Sequence, residues 1–116
     1  MQNKNEIALE KHGPVVMLNI QGDITSFSEP FLNQAYSDAN DQGAEKLLLN
    51  VEDGAYINSG GIAVLIQILA QTKKNSQQIC ITGLSDHFKK IFNMVGITKF
   101  AEIHDTVDSA ITAMSG

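Results

Sequence analysis

Apolar positions along this chain switch repeatedly between two patterns. Val15-Val16-Met17-Leu18-Asn19-Ile20, Lys46-Leu47-Leu48-Leu49-Asn50-Val51 and Ile79-Cys80-Ile81-Thr82 are nearly continuous apolar runs of strand length, bounded by turn residues. A run without alternation is what a strand covered on both faces shows. Elsewhere apolar residues recur at helical spacing. Phe31, Leu32, Ala35, Tyr36 and Ala39 form one stripe, and Ile62, Leu65, Ile66 and Leu69 a second. Phe88, Ile91, Phe92 and Val95 form a third, Val107, Ala110, Ile111 and Met114 a fourth. The spacing predicts four helices.

Turn and cap residues set the boundaries. Residues 7–10 form a short first strand, and His12-Gly13-Pro14 turns it antiparallel onto the next. Gly22 ends that second strand, and residues 21–27 make a polar loop. Ser28-Glu29-Pro30 opens the first helix, with Ser28 as its cap, and Gly43 stops it. The second helix runs to about residue 74 and closes in polar residues 71–78. Gly83 ends the strand after it, Ser85 caps the third helix, and Gly96 lies past that helix's end. Residues 100–103 supply a last strand, and Asp105 or Thr106 opens the last helix. The order β-β-α-β-α-β-α-β-α predicts an α/β fold: a mostly parallel, mixed sheet of about five strands flanked by four helices.

Length and charge narrow the function. A chain of 116 residues is expected to be one domain spanning 1–116, able to bury roughly two-thirds of its unfolded surface. Eight basic against thirteen acidic residues give a formal charge of −5, which argues against nucleic acid and anionic membranes as partners. The first residues are polar and no apolar run reaches membrane-spanning length, so a soluble cytoplasmic protein without membrane insertion is expected. The lone Cys80 excludes an internal disulfide and reads as a small buried core residue.

Candidate chemistry concentrates in Tyr56-Ile57-Asn58-Ser59-Gly60-Gly61-Ile62, between the central strand and the second helix. His12, His87 and His104 stand far apart, none at metal-ligand spacing from another donor, so no metal is expected. Ser59 sits on a strand–turn–helix corner, but Ile57 occupies the place of the first glycine in a nucleophile elbow. No His/acid pair accompanies it, so serine hydrolysis is not expected. The phosphate-binding patterns Gly-x-x-x-x-Gly-Lys-Ser/Thr and Gly-x-Gly-x-x-Gly are missing, and no cofactor is implied. A covalent phosphate on Ser59 is compatible with a helix N-terminus, whose partial positive charge opposes the roughly −1.5 to −2 of phosphoserine. A turn followed by a helix cap has the same residues, and the sequence leaves both readings open.

Three stretches, in matching order and spacing, resemble the STAS domain of the bacterial anti-sigma factor antagonist family. They are Val16 through Thr25, Lys46 through Leu65 with Asn58-Ser59-Gly60-Gly61-Ile62 at its centre, and Gly83-Leu84 with Phe88, Ile91, Phe92 and Gly96-Ile97. The resemblance spans essentially the whole chain. It implies a non-enzymatic partner-switching regulator that binds an anti-sigma factor acting as a serine kinase, with a metal-dependent serine phosphatase reversing the mark. Ser59 matches the family's phosphoacceptor, and Gly61-Ile62 match its Gly-Leu. Asn58 replaces the usual Asp, Gly60 the second hydroxyl residue, and Thr25 an Asp common in the earlier loop. The implied partner surface is Asp23, Thr25, Ser26, Asn58, Ser59, Gly60, Gly61 and Ile62, with the exposed face of the following helix. An alternative implied by relatives of this fold is a phosphorylation-independent interaction module in a stressosome-like, sensory or transporter-associated complex.

Overall fold

The computed structural model describes residues 5–115. Its strands are β1 (Glu6–His12), β2 (Val15–Gln21), β3 (Lys46–Val51), β4 (Gln78–Thr82) and β5 (Glu102–Ile103). The helices are α1 (Glu29–Asp41), α2 (Ser59–Lys74), α3 (Asp86–Met94) and α4 (Val107–Ser115). Short 3-10 turns at Ser26–Ser28 and Ile97–Lys99 complete the regular structure. The sheet order is β1-β2-β3-β4-β5, with β1 antiparallel to β2 and every other neighbouring pair parallel. This is the predicted mixed α/β sheet.

Register decides which side chains share a face. Val16, Leu18 and Ile20 of β2 lie beside Leu47, Leu49 and Val51 of β3, which lie beside Ile79 and Ile81 of β4. This face meets α1, α2 and α3 through Leu32, Tyr36, Leu65, Ile68, Leu69, Phe88 and Phe92, and forms the larger core. On the reverse face Val15, Met17, Leu48 and Cys80 pack under Ala110 and Met114 of α4. The central strand is therefore apolar on both sides because both sides are covered. Beyond the reach of the short α4, polar groups continue that face. Asn50 Nδ2 donates to Asn19 Oδ1 at 2.9 Å, and Thr82 Oγ1 donates to Asn50 Oδ1 at 2.8 Å. This relay follows the register pairs of three neighbouring strands and satisfies groups that would be costly to bury alone.

Four boundary expectations shift. Ser28 does not cap α1 through its side chain. It is buried inside the preceding turn, and Thr25 caps that turn instead. Val95 lies outside α3 as its C-terminal cap and is 49% exposed, because the helix ends one residue too early to bury it. Ile66 is turned outward, since the inward stripe of α2 runs through Gly61, Val64, Leu65, Ile68, Leu69 and Thr72. Phe100 and Ala101 are not strand: the chain winds into the Ile97–Lys99 turn with Ile97 buried, and only Glu102–Ile103 pair with β4. At the start of α4, Thr106 is the cap, its Oγ1 accepting from Ser109 N at 3.0 Å.

Gly83, at φ +90, carries the chain from β4 across the end of β3, where an added Cβ would overlap the Val51 carbonyl. Gly43, at φ +76, has open space around it. Gly83→Ala is expected to lower the unfolding free energy by about 3 kcal/mol, from left-handed strain plus overpacking. Gly43→Ala loses only about 1 kcal/mol, from strain alone. Urea unfolding of the two variants checks this, and equal losses would refute the proposed contact.

Candidate functional site

The loops after β2 and β3 emerge side by side because those strands are parallel neighbours. Ile24 and Ile57 form an isolated parallel bridge: Ile24 N donates to Tyr56 O at 2.9 Å, and Asn58 N to Ile24 O at 3.2 Å. Asp23 ties the loops a second time, its Oδ1 accepting from Tyr56 N at 2.9 Å. Glu52 adds a third tie through Oε2, which accepts from Gly22 N at 2.8 Å. Two carboxylates of this rim, the half-buried Asp23 and the exposed Glu52, are thus engaged with backbone amides.

The earlier loop holds its own shape. Thr25 Oγ1 accepts from Phe27 N at 3.1 Å, and Thr25 N donates to Ser28 Oγ at 3.0 Å, a reciprocal capping box. Ser28 Oγ also donates to Asp23 O at 3.3 Å. From the N-terminal side, Asn5 Nδ2 donates to Gln21 O and Asp23 O at 3.0 and 2.9 Å.

α2 begins directly on this loop. A Cβ on Gly61 would overlap the Ile24 carbonyl, and one on Gly60 would lie 3.0 Å from Ser26 Cβ. At Gly61 only glycine permits so close a backbone approach, whereas at Gly60 a side chain would require Ser26 to shift slightly. Asn58, in extended conformation at φ −92 and ψ 179, is the helix N-cap, and its Oδ1 accepts from Gly61 N at 2.8 Å. Ile62 N donates to Asn58 O at 2.9 Å. Ser59 is the first helical residue and is exposed. Its hydroxyl is not spent on capping, and the amides of Ser59 and Gly60 have no protein acceptor among the described residues. The capping role and the exposed hydroxyl thus fall on different residues.

The structure gathers Asp23, Thr25, Ser26, Asn58, Ser59, Gly60 and Gly61 at one corner, at the C-terminal ends of β2 and β3. Ile62 belongs to the same turn but is half-buried and packs against the larger core. Two aromatic residues lie in these loops, Phe27 at the end of the polar loop and Tyr56 at the start of the candidate stretch. Phe27 is 60% exposed beside Ser26, and Tyr56 59% exposed, its ring edge-on to Phe88 of α3 with centroids 6.0 Å apart. Their signal was present, since both lie in loops outside any periodic apolar stripe. Along α2, Ala63, Ile66 and Ala70 continue an exposed, largely apolar face from Ser59. Aromatic residues rimmed by polar groups are characteristic anchors of protein interfaces. No described helix is long and apolar enough to cross a membrane.

The STAS domain family model matches residues 6–110. An anti-sigma-B factor antagonist of Bacillus subtilis is 26% identical over 102 residues, covering 88% of this chain and 84% of that protein. Among solved structures, an anti-sigma factor antagonist from Mycobacterium paratuberculosis superposes with a TM-score of 0.79 at 20% identity, covering 97% of this chain and 96% of that one. The anti-sigma factor antagonist SpoIIAA in its unphosphorylated form gives a TM-score of 0.71 at 17% identity, covering 96% and 99%.

The capping assignment has a measurable consequence. Asn58→Ala is expected to cost about 1 kcal/mol of unfolding free energy through the lost cap. Asn58→Asp keeps the acceptor and places a negative charge at the helix N-terminus, adding about 0.3–1 kcal/mol at low salt. Thermal and urea unfolding check both, and an Asn58→Ala variant as stable as the parent would show that Asn58 is not the cap.

Proposed function

The chain belongs to the STAS domain family, and on that footing we propose that it acts as an anti-sigma factor antagonist whose partner binding is switched by phosphorylation of Ser59. In this reading it is a binding module with no catalysis of its own. It docks an anti-sigma factor that is also a serine kinase, and a serine phosphatase resets the mark. The observation that carries the proposal is the exposed Ser59 hydroxyl at the first helical position, left free because Asn58 does the capping.

The physical consequences follow from that placement. A phosphate on Ser59 adds roughly −1.5 to −2 charge beside a helix N-terminus of about +0.5, so the fold tolerates it. Ser59 lies outside both cores, and its modification removes no buried contact. A docked partner meets the change instead. Covering the corner with an apolar surface would strip water from the phosphate at high cost, and that cost is the switch. Phe27, Tyr56 and the Ala63/Ile66 face of α2 supply docking area, while Gly60 and Gly61 leave the corner bare enough for another backbone to come close.

The named relatives support the antagonist role, and the loop departs from the family pattern at three positions. Asn58 keeps the cap but deletes a charge beside the acceptor, Gly60 leaves Ser59 as the turn's only hydroxyl, and Thr25 deletes a second charge nearby. These departures favour, as the second reading, a module that binds its partner without phosphorylation.

Incubation with the cognate kinase and ATP, read by intact mass, is expected to add one phosphate to the parent chain and none to Ser59→Ala. Ser59→Asp is expected to weaken partner binding at least tenfold, about 1.4 kcal/mol, in a titration with the anti-sigma factor. A phosphate gained by Ser59→Ala would refute the site. Full affinity in Ser59→Asp, together with no modification of the parent chain by an active kinase, would establish the second reading.

A further inference from the structure

Across the sheet from the larger core, pairing of β4 with β5 sets Cys80 opposite Glu102, and His104 follows two residues later at the end of β5. The thiol Sγ, a Glu102 carboxylate oxygen and a His104 ring nitrogen all lie within 4.8 Å of one another. His104 Nε2 is 3.1 Å from Glu102 Oε2, and His104 Nδ1 is 3.1 Å from Ser109 Oγ of α4. The backbone is fixed as well, His104 N donating to Ile81 O at 3.0 Å. Neither the Ser59 corner nor its proposed partner uses any of these groups.

We propose that Cys80, Glu102 and His104 form a binding site for a single zinc ion. A thiolate, an imidazole and a carboxylate are the donors that zinc, a borderline-soft ion, accepts in tetrahedral sites. Donors within 4.8 Å of one another can close around one ion at metal–ligand distances of about 2.0–2.3 Å with side-chain adjustment alone. Glu102 is exposed and His104 half-buried, so the outer side is open to the ion and to a water as fourth ligand. Cys80, fully buried beneath α4, closes the inner side. Ser109 gives the imidazole the outer hydrogen-bond partner that metal-ligating histidines ordinarily have.

The proton balance is simple. Zinc takes the Nε2 lone pair of neutral His104, whose ring proton then sits on Nδ1 and donates to Ser109 Oγ. Glu102 binds through its carboxylate. Cys80 enters as thiolate, and its proton leaves to solvent. Burial, and then the neighbouring Glu102 charge, hold the free thiol up at about 11. Coordination deprotonates a thiol outright, and each binding event therefore releases one proton. The bound ion would pin β5 and, through Ser109, the start of α4 to β4.

The full chain, stripped with a chelator, is titrated with zinc against a chromophoric competitor. One equivalent is expected to bind, and Glu102→Gln and His104→Gln are each expected to weaken it at least about tenfold. His12→Gln and His87→Gln are expected to bind as the parent does. Cobalt in place of zinc is expected to show a thiolate-to-metal charge-transfer absorption that Cys80→Ser abolishes. Glu102 and His104 lie outside the cores, so their variants keep the test decisive if Cys80→Ser fails to fold. Absence of stoichiometric binding, a cobalt complex without thiolate absorption, or undiminished binding in His104→Gln would each overturn the site.

Discussion

The backbone of the first turn of α2 lies against the Ile24 carbonyl, and the exposure of Ser59 depends on that approach. A side chain at Gly61 would lift the helix from the loop, taking with it the bridge between Ile24 and Ile57 and the amide contact of Asn58. With glycine there, the helix starts where two parallel strands end, and Asn58 reaches Gly61 N to cap it. Ser59 is then held one residue past the cap, its hydroxyl turned to solvent. Two carboxylates and a backbone bridge tie the two loops of the corner together, and a capping box holds the earlier loop in shape.

Burial is distributed to match. Three helices cover one face of the sheet and a single short helix the other. The heavily covered face carries most of the apolar burial, at about 1.5–3 kcal/mol for each fully buried aliphatic side chain. The lightly covered face admits polar groups: the Asn19–Asn50–Thr82 relay, and the Cys80, Glu102 and His104 cluster at its β5 edge. The two proposed sites thus lie where apolar cover runs out, at the loop corner above the sheet and at the thinly covered edge behind it.

Much of this architecture was legible in the chain, and the physical basis is local. Strand and helix identity follow from apolar period, and Gly43, Gly83 and Gly96 each mark a place where the backbone turns to positive φ. Ser85 caps α3 as expected because a hydroxyl before an acidic first turn satisfies amides within its own reach. Ser28 misled because its local signature is equally good, yet the hydroxyl is drawn to Thr25 N and Asp23 O of a loop that has to pack under α2.

The sequence by itself determined the order of strands and helices, the mixed sheet and the turn on which Ser59 is displayed, since neighbours along the chain decide all of these. The tertiary structure alone decided the rest. It divided capping from exposure between Asn58 and Ser59, left Phe27 and Tyr56 uncovered, and turned Ile66 outward. It also set Cys80 beside Glu102 and His104. Each of these outcomes rests on strand register and on how closely one backbone passes another, and no spacing within a single segment encodes either.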